Sequence, residues 1–216
     1  GAGTGVFMGN ARGKVRAPRM IDSPGPAGIE RALTYRQGKA IINSINLEDG
    51  DERFEKVVPM ARRFGAAFIV GCIDEQGMAV TAERKLEVAL RSRDLLTSRY
   101  GVRSTDISFD PLTFPCATGD AQYLGSAAAT VEGIRLIKER LPETKTILGI
   151  SNVSFGLPPA GREAMNSVFL YHTPQAWLAL AIPNSDKLEP YASIPGEGRE
   201  LAGVKAGKAG GGGAAG

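Results

Sequence analysis

Six short apolar runs punctuate this sequence, and longer stretches with helical spacing lie between them. The runs are RMID (Arg19–Asp22), AIIN (Ala40–Asn43), FIVGCI (Phe68–Ile73), ISFD (Ile107–Asp110), TILGI (Thr146–Ile150) and LALAI (Leu178–Ile182). Each is brief, almost wholly apolar and rich in branched side chains, which predicts strands buried on both faces of a parallel sheet. The intervening segments repeat apolar residues at three and four. Phe54, Val57, Val58 and Ala61 form one such stripe, and Leu86, Ala89, Leu90 and Leu96 a second. The longest runs through Leu124, Ala127, Ala128, Val131, Ile134, Ile137 and Leu141, with charges on the opposite side. Thr81 suits an N-cap, with Glu83 in the first turn behind it, and Pro142 marks the end of the long stripe. Strand followed by helix, six times over, predicts an α/β fold with parallel strands and right-handed crossovers.

Composition narrows the function classes. At 216 residues the chain can bury one sizeable core, and 43% hydrophobic with 23% charged residues is ordinary for a globular domain. No run of 18 apolar residues is present, so no membrane partner is expected, and the start carries no signal-peptide pattern. Cys72 and Cys116 are too far apart for a CxxC metal motif, and His172 is the single histidine, which excludes a histidine-rich zinc centre. The formal charge of +3 is an end effect. Arg12, Lys14, Arg16 and Arg19 open the chain and Lys205 and Lys208 close it without acids nearby, while the 181 residues between carry −3. A nucleic-acid partner is therefore not expected. Twelve of the 28 glycines also sit in the first 13 and last 16 residues. Residues 1–18 and 201–216 read as flexible, low-complexity ends, and 19–200 as the domain. The first residue is Gly1 rather than Met.

The runs end, or are closely followed, in a consistent way: Asp22, Asn43, Asp74, Asp110, Asn152 and Asn184. Asp and Asn favour the turn after a strand, which explains any one of them. Six in succession, on parallel strands, predict a polar pocket at one end of a barrel or open sheet.

Longer motifs carry a resemblance. MIDS (20–23), INSINLEDG (42–50), IDEQGMAVTAERKLE (73–87), FDPLTFPCATG (109–119), GISNVSFGLPP (149–159) and NSVFLYH (166–172) resemble, in order and spacing, the pterin-binding domain of cobalamin-dependent methionine synthase. The match runs from about Lys14 to about Arg199. The wider superfamily holds the methyltetrahydrofolate:corrinoid-iron–sulfur-protein methyltransferases and dihydropteroate synthase. INSINLEDG and SNVSFGLPP favour the methionine synthase branch, and FDPLTFP is not the DPGxGF-like strand end of the synthase.

The resemblance implies a (β/α)8 TIM barrel that holds 5-methyltetrahydrofolate at its C-terminal mouth, in a cytoplasmic enzyme of methionine biosynthesis. It implies pterin contacts at Asp22, Asn43, Asp110, Asn152 and Arg162. An ionised Asp accepts the parallel N–H groups of the pterin's 2-amino and N3 edge, and Asn offers one donor and one acceptor for its N1 and N8–H side. Asn152 is the expected catalytic residue, because a hydrogen bond to N5 makes the pterin a better leaving group for its methyl. The acceptor implied is cobalamin, held by a partner domain and not by this chain, whose sequence lacks the DxHxxG signature of that domain. The resemblance also leaves gaps. The GERTN-like and DxN-like segments of the family's first two strands have no counterpart in residues 1–18, so about six of eight βα units are expected. The alternative expectation is a truncated, non-catalytic barrel fragment that needs the rest of the domain or a partner. Other residues read as structural: the cysteines and His172 as packing side chains, and Glu83–Arg84–Lys85 as a solvated helix face.

Overall fold

A computed structural model describes residues 14, 17–116, 123, 125–184 and 188–205. The glycine-rich ends, apart from Lys14, 17–18 and 201–205, lie outside these residues, as does Leu124 of the long apolar stripe. The chain divides into two compact units, one of residues 1–78 and 87–110, the other of 79–86 and 111–216.

The first unit is a parallel sheet backed by helices. Strand β1 (Arg19–Asp22) pairs in parallel with β2 (Ala40–Leu47), β2 with β3 (Ala67–Asp74), and β3 with β5 (Ile107–Asp110). A two-residue strand, β4 (Gly77–Met78), turns back antiparallel onto the end of β3. Helix α1 (Pro26–Thr34) joins β1 to β2, and α2 (Glu52–Arg63) joins β2 to β3. Helix α3 (Ala82–Ser98) starts in the second unit and ends in the first. Phe54, Val57, Val58 and Ala61 of α2 are all fully buried, as their spacing predicts. They lie among the buried Ile42, Phe68, Val70, Ile107 and Phe109 of the strands.

The second unit holds helix α4 (Ser126–Arg140), strand β6 (Lys145–Gly149), helix α5 (Pro159–His172), strand β7 (Leu180–Ile182) and helix α6 (Gly196–Lys205). β6 and β7 pair in parallel, with Ile147 opposite Leu180. The core gathers Ala127, Ile134, Leu148, Ile150, Val153, Met165, Val168, Phe169 and Ile194. The Arg84 N–H donates to Thr81 Oγ1 at 3.2 Å, so Thr81 does cap α3.

The six expected strands are all present, in an α/β arrangement with parallel pairing. Two differences have physical causes. β2 runs four residues past Asn43, because Ile45 and Leu47 are buried and continue the strand after a register irregularity between Ile42 and Ile45. Helices α1 and α5 carry no long apolar stripe: α1 buries only Ile29, Ala32 and Leu33, and both start on Pro at their first positions.

Candidate functional site

In the first unit, the sheet register sorts side chains by face. Neighbouring strands at one level point side chains the same way, and successive residues alternate. Ile21 pairs with Ile42 and Ile42 with Phe68, so one face carries these buried apolar groups. The next level places Asp22 directly opposite Asn43. Their side chains therefore share the other face, Asp22 exposed at the end of β1 and Asn43 half-buried within β2. Asp110, at the end of β5, lies opposite Gly71 of β3 and is half-buried. Gly71 leaves a gap in this row. A Cβ there would stand 3.8 Å from the Cβ of Asn46 and 3.7 Å from the Ile73 side chain, so the gap is not forced by crowding. One face of this sheet thus brings together Asp22 and Asn43, and carries Asp110 beside a bare backbone.

In the second unit, the chain leaving β6 turns through a short 3-10 segment, Ile150–Ser154, before α5 begins. Ile150 and Val153 are fully buried and pin this turn, and the Cys116 N–H donates to the Val153 carbonyl at 3.1 Å. Asn152 rides on the outside of the turn, exposed. Its amide nitrogen lies 3.6 Å from where a Cβ on Gly149 would sit, so glycine leaves room for it beside the end of β6. Arg162, half-buried in α5, donates from Nε to Ser154 Oγ at 3.3 Å, and Ser154 Oγ donates to the Ser151 carbonyl at 3.0 Å. Arg162 therefore braces the turn that presents Asn152.

Three sequence expectations change. Lys85 is not on a solvated face; it is fully buried. Its Nζ donates to the Ala79 carbonyl at 2.8 Å and to that of Pro111, and stands 4.9 Å over the Phe114 ring. A charge taken out of water needs such partners. Gly133 makes the space, since a Cβ there would meet Lys85 Cδ at 2.7 Å. Only that glycine inside an apolar stripe hinted at this. Asp74 is spent on structure: buried, it accepts the Gln76 N–H at 3.1 Å within the β3–β4 turn and lies 3.8 Å from Arg91. Asn184 lies two residues beyond β7, exposed, rather than at a strand end. The structural readings of the remaining pair hold. His172 ends α5 and packs edge-on against Tyr171 and Tyr191, and Cys72 is buried. Burial pushes the Cys116 thiol up despite hydrogen bonds from Ser126 and the Ala127 backbone, which keeps it a thiol at neutral pH.

The pterin binding enzyme family model matches residues 7–182. The chain belongs to that family. It is 42% identical over 188 residues to methionine synthase of Mycobacterium tuberculosis and, over the same length, 42% identical to that of Mycobacterium leprae. Each alignment covers 86% of this chain and 16% of the relative, so the chain spans about a sixth of the length of these proteins. Among solved structures, Yersinia pestis dihydropteroate synthase with a pterin–sulfa conjugate aligns with a TM-score of 0.58 at 11% identity, covering 94% of this chain and 73% of that one. The Xanthomonas albilineans dihydropteroate synthase in complex with 7,8-dihydropteroate gives 0.57 at 12% identity, covering 91% and 70%. At such identity these two establish the fold alone. Within this pterin-binding family, the similarity to methionine synthase is carried by sequence.

Proposed function

We propose that this pterin-binding domain holds 5-methyltetrahydrofolate and supports transfer of its N5 methyl to a corrinoid carried by another domain, as one half-reaction of methionine synthesis. The observation that carries the reading is the level pairing of Asp22 with Asn43 on one sheet face, in a chain 42% identical to methionine synthase over 188 residues. The TIM-barrel architecture of the resemblance, here with about six of its eight βα units, belongs to this proposal, as does the assignment of Asp110, Asn152 and Arg162 to the same ligand.

The roles follow from side-chain chemistry. A carboxylate accepts the pterin's 2-amino and N3 hydrogens as two parallel bonds, which fixes the ring in register. Asn43 accepts and donates along the neighbouring edge. Asn152 donates its amide hydrogen to N5. As the N5–methyl bond breaks, its electron pair stays on N5, and that hydrogen bond stabilises the growing charge by about 2–4 kcal/mol. Arg162 keeps the Asn152 turn in place and is aimed at the p-aminobenzoyl-glutamate end. The corrinoid supplies the nucleophilic metal that takes the methyl when its own domain presents it.

Single-turnover methyl transfer to exogenous reduced cobalamin tests the reading. Wild-type chain is expected to demethylate bound folate, and Asn152→Ala to do so about 100-fold more slowly at unchanged affinity. Equal rates in the two would remove Asn152 from the chemistry. A second reading, a fragment that needs further strands, is supported by β7, where Leu180 and Ile182 are 37% and 43% exposed and Trp177 beside them 69%. A dispersed sample with one sharp thermal transition would count against it.

A further inference from the structure

Arg53 lies in the first turn of α2, half-buried, and spends all three guanidinium nitrogens on backbone carbonyls. Nε donates to Ser44 at 3.0 Å, Nη1 to Pro24 at 2.5 Å and Nη2 to Ser23 at 3.1 Å. These acceptors are not scattered. Ser23 and Pro24 are the two residues after Asp22, and Ser44 is the residue after Asn43. One side chain therefore ties together the two segments by which the chain leaves the paired polar residues. The Ser23 N–H adds a link to the Asn43 carbonyl at 3.4 Å.

The position makes this more than a surface contact. The β1–β2 ladder ends at the Asp22–Asn43 level, so beyond Asp22 the ladder gives no further register pair and the Ser23–Asn43 hydrogen bond is the last backbone tie. Hydrogen bonds from a planar heterocycle's N–H groups to a carboxylate tolerate errors of only about 0.5 Å before affinity falls. A planar, permanently charged fork that reaches three carbonyls at once is what arginine supplies and lysine does not. We propose that Arg53 is a positioning residue of the pterin site: it acts through Asp22 and Asn43, by fixing the loops behind them, and does not touch the ligand. This inference rests on the folate reading above.

The test is a double-mutant cycle on the full chain, read as the dissociation constant for 5-methyltetrahydrofolate. Arg53→Lys and Arg53→Met should each weaken binding about tenfold. In an Asp22→Asn background the same changes should weaken it further by less than about twofold, because the group they position is already impaired. Val57→Ala, one turn along α2 at a fully buried site, controls for lost stability. At a matched drop in melting temperature it should leave affinity within about twofold of wild type. Multiplicative losses in the cycle, or an equal loss from Val57→Ala, would overturn the positioning role. Binding by wild type with unchanged affinity in both Arg53 variants would overturn this inference and spare the folate reading. Wild type that does not bind at all would overturn the folate reading and, with it, this one.

Discussion

The proposed pterin contact rests first on Asp22 and Asn43. They are 21 positions apart in sequence and face each other across β1 and β2. If they hold the pterin as proposed, replacing either by Ala should lower binding of 5-methyltetrahydrofolate by about 100-fold or more, measured by titration. Gly71 offers the complementary experiment. Its extended backbone accepts a side chain, and the nearest atoms to an added Cβ are at 3.7 Å, an ordinary contact. Gly71→Ala should therefore leave the melting temperature equal or higher, since a strand glycine loses more entropy on folding. The same methyl, placed beside Asp110, should weaken folate binding, so stability and affinity move apart. Lys85 behaves in the opposite way. Lys85→Ala abandons two buried carbonyls and opens a void against Gly133, and should cost about 2–4 kcal/mol in chemical denaturation.

At the scale of elements, legibility in the sequence followed physical uniformity. Strands β3 and β6 were readable because burial on both faces leaves few polar residues in them, and α2 and α4 because a single stripe meets the core; β1 and β7, expected to be buried on both faces, are partly exposed instead. What stayed hidden depended on partners distant in sequence. The continuation of β2 beyond Asn43 required a register irregularity against β3, which no local pattern encodes. Lys85 looked like one charge among three, and only the glycine on α4, 48 positions away, makes room for it. Asp74 looked like another strand-end ligand and is held by the hairpin after β3 and by Arg91. Asp22 and Asp110 were legible because the ends of parallel strands share one end of the sheet, whereas Asn43 lies within β2 and meets Asp22 through the register.

Another element-level feature sits before β5. Burial pushes the Asp106 carboxyl up, but hydrogen bonds from Lys39 and Arg103 outweigh this and hold it below the ordinary range. A folded-state value below the unfolded one stabilises above the unfolded value and is lost as pH falls through the folded one. Asp106→Asn should therefore cost no more than about 1 kcal/mol near pH 7, and the difference from wild type should shrink as pH falls below the ordinary carboxylate range. Melting curves at neutral pH and below that range check this.

For the whole molecule, the account joins a family membership to a specific ligand. The chain belongs to the pterin binding enzymes and spans about a sixth of the length of its methionine synthase relatives. In the proposed function, folate binding is the step assigned to this chain's own residues. Calorimetric titration of the wild-type chain with 5-methyltetrahydrofolate, beside Asp22→Asn, measures it directly. Saturable binding at one site by wild type, weakened at least about tenfold in the variant, is the predicted result. No heat of binding at millimolar folate, or equal affinity in the two proteins, would contradict the claim that this sheet face reads a pterin.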